Sequence, residues 1–181
     1  MFSKLKAELD AVMARDPAAR SRAEVYFLYS GFKAVRSYRK ANWFFRHNMK
    51  FIARYISQRA RRKTGIEIHP GATIGKNLFI DHGMGVVIGE TAVIGKHVRV
   101  YQAVTLGAKR FPTDEHGNII KGIARHPIIE DDVIIYAGAT VLGRITIGRG
   151  SRIGGNVWLT HSVPPGSTVT QADLLASERV D

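Results

Sequence analysis

Two residues of this 181-residue chain have the types and spacing for proton transfer: His82 and, fifteen positions before it, Glu67. An imidazole takes up and returns a proton near neutral pH. A carboxylate beside it fixes the tautomer and stabilises the protonated ring. His82 lies in Asp81-His82-Gly83-Met84-Gly85, a glycine-rich stretch that reads as a loop. Spacing alone leaves a second reading open, a corner histidine that only hydrogen-bonds to backbone. Metal chemistry is disfavoured: the closest pair among the seven histidines, His116 and His126, is ten residues apart, and there is no cysteine. The reading therefore assigns no metal ligands and no disulfides.

Whether Glu67 meets His82 depends on the elements that carry them. Between Gly65 and about Thr170 large aliphatics recur every six residues. Ile68, Ile74 and Ile80 form one run, and Ile88, Ile94, Val100 and Leu106 a second. Ile129, Ile135, Val141, Ile147, Ile153 and Leu159 form a third. Glycine often follows at once, and small residues such as Ala72, Ala92, Ala139 and Ser151 stand two positions before. Helices and flat sheets have no period of six, whereas hexapeptide repeats build parallel β-helices. Three short strands bend at the small residues into one triangular coil. A coil cannot bury its inner face alone, so about five coils must stack. With about eighteen residues per coil, Glu67 and His82 fall on neighbouring coils near one edge. The repeat stumbles between Ile80 and Ile88, directly after Asp81-His82, and an interruption in a regular scaffold is a place for function.

Residues 1–64 read as helices. Leu5, Leu9, Val12 and Met13 make one stripe that Asp16-Pro17 ends. Ser21 and Glu24 form a capping box opening a helix that carries Val25, Leu28, Phe32, Val35 and Tyr38 at 3–4 spacing, then Trp43 and Phe44. A further pattern, Phe51, Ile52, Tyr55 and Ile56, runs up to Gly65. These aromatics read as core, and the helices as a cap on the open end of the coil. The predicted class is α+β: an N-terminal helical domain (1–64), a left-handed parallel β-helix domain (65–170) with an inserted loop (108–126), and a tail (171–181). The formal charge of +12 points to an anionic partner or a solvated basic face. No run approaches a membrane span, and the first residues lack the apolar run of a signal peptide. The reading places the chain in the cytoplasm, with no membrane and no nucleic-acid partner.

The motifs in order are Arg15-Asp16-Pro17-Ala18, Gly31-Phe32, Tyr38-Arg39, Ile68-His69-Pro70, Asp81-His82-Gly83, Gly89-Glu90-Thr91, Gln102 with Val104-Thr105-Leu106-Gly107, Arg125-His126-Pro127 and Val163-Pro164-Pro165. Together they resemble the serine O-acetyltransferases of the hexapeptide acyltransferase superfamily over nearly the whole chain. The resemblance implies acetyl transfer from acetyl-CoA, a co-substrate, to L-serine, a step of cysteine biosynthesis. It implies His82 as general base with Glu67 as its partner, where the family has aspartate. Asp16, Asp81, Arg125 and His126 match the acceptor-binding positions, with Glu90 a further candidate. Carboxylates suit an ammonium, and Arg125 can clamp a carboxylate.

For the CoA arm the resemblance implies a groove between adjacent subunits. Gly107, Gly138 and Ala139 would border it, with Lys109, Arg144, Arg149 and Arg152 as candidates for the phosphates. Ala108 stands where the family has a second glycine. It also implies a homotrimer, with a dimer of trimers as the larger alternative. The loop 108–126 reads as a lid or a subunit contact. The family's tail can bind O-acetylserine sulfhydrylase through a terminal isoleucine; this chain ends in Asp181, which leaves that partner open. The rival readings are a related acetyltransferase acting on homoserine or a sugar hydroxyl, a γ-type carbonic anhydrase, and a polyanion-binding module.

Overall fold

The computed structural model describes residues 2–173. Four helices come first: α1 (Phe2–Met13), α2 (Arg22–Leu28), α3 (Ser30–Arg46) and α4 (Lys50–Thr64). Short strands then wind into a three-sided, left-handed parallel β-helix. The first coil is β1 (Glu67–Ile68), β2 (Thr73–Ile74) and β3 (Phe79–Ile80). The second is β4 (Val87–Ile88), β5 (Val93–Ile94) and β6 (Arg99–Val100). The third is β7 (Thr105–Gly107), β8 (Ile128–Ile129) and β9 (Ile134–Ile135), and the fourth is β10 (Thr140–Leu142), β11 (Thr146–Ile147) and β12 (Arg152–Ile153). The last holds β13 (Trp158–Leu159), a parallel bridge from Val163 to Ile147, and β14 (Thr168–Val169). The chain beyond residue 173, part of the expected tail, lies outside the described residues.

The register explains the period of six. Face 1 stacks β1-β4-β7-β10-β13, face 2 stacks β2-β5-β8-β11, and face 3 stacks β3-β6-β9-β12-β14. Each large aliphatic points inward above its equivalent, as in Ile68-Ile88-Leu106-Val141-Leu159 on face 1. All thirteen in-phase residues are buried, as are the corner residues Ala72, Ala92, Ala139 and Ser151. Burying a Leu or Ile side chain contributes about 1.5–3 kcal/mol, so this single column dominates the stability of the prism.

The first coil has no rung in front of it, so its carbonyls need other donors. The helices supply them. Ser57 Oγ donates to Ile68 O at 2.8 Å and Asn42 Nδ2 to Pro70 O at 2.8 Å. Tyr38 donates to Ala72 O, and the Arg39 guanidinium to the carbonyls of Ile74 and Gly75. Arg15 Nη1 extends the series to Asn77 O at 2.7 Å.

Two features of the helices differ from the sequence expectation. The helix expected to run from residue 22 to Phe44 breaks at Tyr29, whose backbone is extended (φ −73°, ψ 112°). Gly31, just beyond the break, lies so close to the first coil that a Cβ there would overlap Ile80 O. The aromatics expected in a core divide: Phe32 and Tyr38 are buried, but Trp43, Phe51 and Tyr55 are exposed. The face of α4 that meets the prism is instead its narrow one, with Ala53 and Ser57 buried. Gly65 ends α4 in the left-handed region (φ 71°), as its place at the end of the pattern predicts. Among the described residues no helix is long and apolar enough to cross a membrane.

Candidate active site

Two groups of polar side chains form at different corners of the prism, separated by face 1. The first gathers where face 3 turns into face 1. The loop after β3 carries Asp81, whose N–H donates to Val100 O at 2.9 Å, and then His82. His82 has a left-handed backbone (φ 56°), rare for a residue with a Cβ. The same conformation recurs at the corner residues Asn77, His97, Ala103, Asp132 and Asn156, so it belongs to the winding of the coil. It leaves the imidazole 70% exposed, with Nε2 3.9 Å from Asp81 Oδ1.

Asp16 reaches the same region from the helices. Its loop is tied down from both sides: Arg15 donates to Asn77 O, and Arg99 Nη2 donates to Arg15 O at 3.2 Å. Asp16 Oδ1 accepts the Ala18 N–H at 2.8 Å, and Oδ2 accepts the Tyr29 hydroxyl at 2.7 Å. Burial, then that hydrogen bond and the charges of Asp16, Glu24 and Asp81, push the Tyr29 phenol up to about 12. Tyr29 therefore feels both aspartates and remains a donor.

The second group lies where face 1 turns into face 2. Arg125 Nη2 pairs with Glu90 Oε2 at 3.0 Å, and its guanidinium stands 6.0 Å from the centre of the Phe111 ring. Arg125 Nε is buried without a partner among the described residues. His126 is buried. Its Nδ1 accepts the Thr91 N–H at 3.1 Å and lies 2.8 Å from Thr91 Oγ1. That hydroxyl oxygen in turn accepts the N–H groups of Arg125 (2.9 Å) and His126 (3.1 Å). A ring nitrogen that accepts a backbone N–H carries no proton, so the neutral tautomer bears its hydrogen on Nε2. The ring packs flat enough against Gly89 that a Cβ there would overlap it.

Burial first, then the Arg125 charge, brings the His126 imidazole down to about 4. The unfolded chain takes up this proton near the ordinary 6.5, the folded chain only near 4. The stabilisation is therefore complete above pH 6.5 and is lost as pH falls from there towards 4. His69, pushed down mainly by burial, acts with the same sign. Melting temperature followed from pH 7 to pH 4 should fall less steeply in a His126→Asn variant than in the unaltered chain.

Glu67 stands on face 1, between the two groups. Its rung is the neighbour of the one His82 leads into, since Glu67 pairs with Val87. Its carboxylate is held by the guanidinium groups of Arg61 at 3.3 Å and Arg54 at 3.6 Å, both on α4. Among the described residues no ion pair within 4.0 Å joins Glu67 to His82. The residues matched to the CoA arm are spread over three corners. Gly107 and exposed Lys109 lie beside the second group. There Arg144 donates to Thr91 O at 2.8 Å and His126 O at 3.1 Å, bracing that corner. Gly138 and Ala139 lie on the His82 corner. Arg149 occupies the remaining corner, with Nη2 3.4 Å from Asp131 Oδ2, and Arg152 follows it in β12.

The inserted loop folds into a small hairpin. Thr113 bridges Ile119, and the Asp114 carboxylate accepts the N–H groups of His116 (2.9 Å) and Asn118 (2.8 Å). Phe111, Ile119, Ile120 and Ile123 are exposed along it. Three participants escape sequence reading: Tyr29, Thr91 as the clamp on His126, and Gln102. Gln102 Oε1, on the rung after His82, is buried without a partner among the described residues. Only Thr91 and Gln102 had a signal, as members of the motifs. Among the described residues no three His, Cys, Asp or Glu side chains are grouped to hold a metal ion.

Residues 126–161 match the family described as bacterial transferase hexapeptide (six repeats). The plasmid serine acetyltransferase of Synechococcus elongatus is 58% identical over 170 residues, 94% of this chain and 53% of that protein. The chain thus spans about half the length of that relative. The serine acetyltransferase of Helicobacter pylori strain J99 is 48% identical over 168 residues, covering 93% of each chain. Among solved structures, soybean serine acetyltransferase complexed with serine superposes with a TM-score of 0.82 at 38% identity, over 93% of this chain and 67% of that one. The helices in front of the prism, the motifs at its corners and the near full-length match to the Helicobacter protein agree: this chain belongs to the serine acetyltransferase family.

Proposed function

We propose that this chain transfers the acetyl group of acetyl-CoA to the hydroxyl of L-serine, giving O-acetyl-L-serine and CoA. The observation that carries the reading is the sorting of charge. Asp16 and Asp81 stand on the His82 corner; on the other stand Arg125, ion-paired with Glu90, and a neutral His126 whose hydrogen lies on Nε2. A free amino acid needs both, a carboxylate pair for its ammonium and a fork of donors for its carboxylate. The complex of the soybean relative with serine supports the same acceptor.

Face 1 lies between the two groups in one chain, so a single prism offers each as half a site. Face 1 also turns Val87 and Trp158 outward, both exposed. Apolar side chains of this size on a flat strand surface suit contact with another copy. The reading is a homotrimer in which the aspartates and His82 of one subunit face Arg125 and His126 of the next. Lys109, exposed beside Gly107, then borders the groove for the CoA phosphates, whereas the carbonyl contacts of Arg144 give it a bracing role.

His82 Nε2 removes the serine hydroxyl proton as the oxygen attacks the thioester carbonyl carbon. A C–O bond forms, the C–S bond breaks, and the same proton passes to the departing sulfur, so that the imidazole ends as it began. His82 has the exposure that access to a substrate requires. Glu67 acts as its partner in this reading once its arginine pairs rearrange. The test is CoA release by purified protein given acetyl-CoA with L-serine, L-homoserine, 3-hydroxypropanoate or glucose in turn. Serine should be used at least tenfold better than any other, judged by kcat/KM. Absence of serine-dependent release overturns the reading.

A further inference from the structure

We infer that Tyr29 is a positioning residue for the acceptor's amino group, acting through Asp16; the inference rests on the serine reading above. The helix break at Tyr29 falls beside the pair Ser30-Gly31, which permits a kink without dictating its direction. What the break achieves is tertiary. The extended backbone at Tyr29 sends its hydroxyl to Asp16 Oδ2 at 2.7 Å. Two residues later Gly31 presses against Ile80 O, the carbonyl just before Asp81. One short segment is thus bonded to the Asp16 carboxylate on one side and braced on the other against Ile80, the residue before Asp81.

The chemistry of the pair requires such a device. Two carboxylates near one another repel until a cation comes between them. The Asp16 loop is held to the prism through Arg15, but those contacts do not stop the Asp16 carboxylate from turning away from Asp81. The Tyr29 hydroxyl opposes this with a hydrogen bond to a charged acceptor, among the stronger kinds. Asp16 Oδ1 is engaged by Ala18 N–H and Oδ2 by Tyr29, so the orientation of the whole carboxylate is set. Each oxygen keeps lone pairs for an ammonium. The phenol is protonated throughout the working range, so the device does not titrate.

The test is Tyr29→Phe, which removes one oxygen atom. KM for L-serine should rise about five- to tenfold, the factor that corresponds to a loss of about 1–1.4 kcal/mol at 298 K. Both kcat and KM for acetyl-CoA should stay within twofold. Preference for L-serine over 3-hydroxypropanoate, which lacks the amino group, should shrink by the same factor. Asp16→Asn alone and the double variant Asp16→Asn/Tyr29→Phe should behave alike, because the hydroxyl acts only through that carboxylate. An unchanged KM, or additive effects in the double variant, overturns the inference. A readout on the unaltered protein guards against poor folding of the variant. With ring-labelled tyrosine, one of the six tyrosine Cζ signals should move on addition of L-serine and stay put with 3-hydroxypropanoate; if none distinguishes the two, the inference fails. If the unaltered protein does not acetylate serine at all, the serine reading itself has fallen. If it does and Tyr29→Phe is silent, only the role of Tyr29 is lost.

Discussion

Replacing His82 by Asn should lower kcat for acetyl transfer to serine by about 10²–10⁴-fold, the range typical of a lost general base. Asn is the informative choice because position 82 has φ 56°. Asn is among the residues with a Cβ that best tolerate this region, as Asn77 and Asn156 do at other corners of the prism. The imidazole is mostly exposed and makes no contact that the prism depends on. Melting temperature and oligomeric state should therefore match the unaltered chain. Single-turnover measurement of CoA release separates the step, since binding of both substrates should persist. Turnover within tenfold of the unaltered chain would show that the proton leaves by another route.

Arg125→Ala should produce the second large effect, and of a different kind. The guanidinium is held on one side by Glu90, with the Phe111 ring nearby on the inserted loop. Its Nε–H is buried and has no partner among the described residues. A paired fork of hydrogen bonds to a substrate carboxylate is worth about 3–4 kcal/mol, or ~10²–10³-fold in kcat/KM. The loss should appear mainly as a raised KM for serine, with KM for acetyl-CoA unchanged. Arg125→Lys keeps the charge but not the planar fork and should recover only part of it. Steady-state kinetics with serine varied at saturating acetyl-CoA distinguishes these outcomes. A uniform fall in kcat would instead point to a collapsed corner, because Glu90 and the Thr91 clamp on His126 are built around the same residues.

The prism was legible because its period has a single physical solution. Thirteen aliphatics six apart can all be buried only if the chain coils with three short strands per turn, and every one of them is buried. The N-cap half of the capping box was legible too, since it is local: Ser21 Oγ accepts the Glu24 N–H at 3.1 Å, while the Glu24 carboxylate accepts the N–H of Arg20 rather than of Ser21. What escaped was set by contacts between elements. The break at Tyr29 answers to Asp16 and to the carbonyl of Ile80, neither visible in the stripe of residues 25–38. The aromatic stripe of α4 reads as core by spacing, yet the close approach needed for Ser57 to reach Ile68 O selects the small-residue face. The fifteen-residue spacing of Glu67 and His82 places them on adjoining rungs. It could not reveal that Arg54 and Arg61 from α4 would compete for the glutamate.

The row of donors over the first coil bears on how this chain avoids a hazard of its own architecture. A rung of unsatisfied parallel backbone is a template, and identical molecules stacked end to end would extend one another indefinitely. Ser57, Asn42, Tyr38 and Arg39 occupy that template with side chains, so this end of the column is closed. Stripping the donors together should favour end-to-end stacking into filaments.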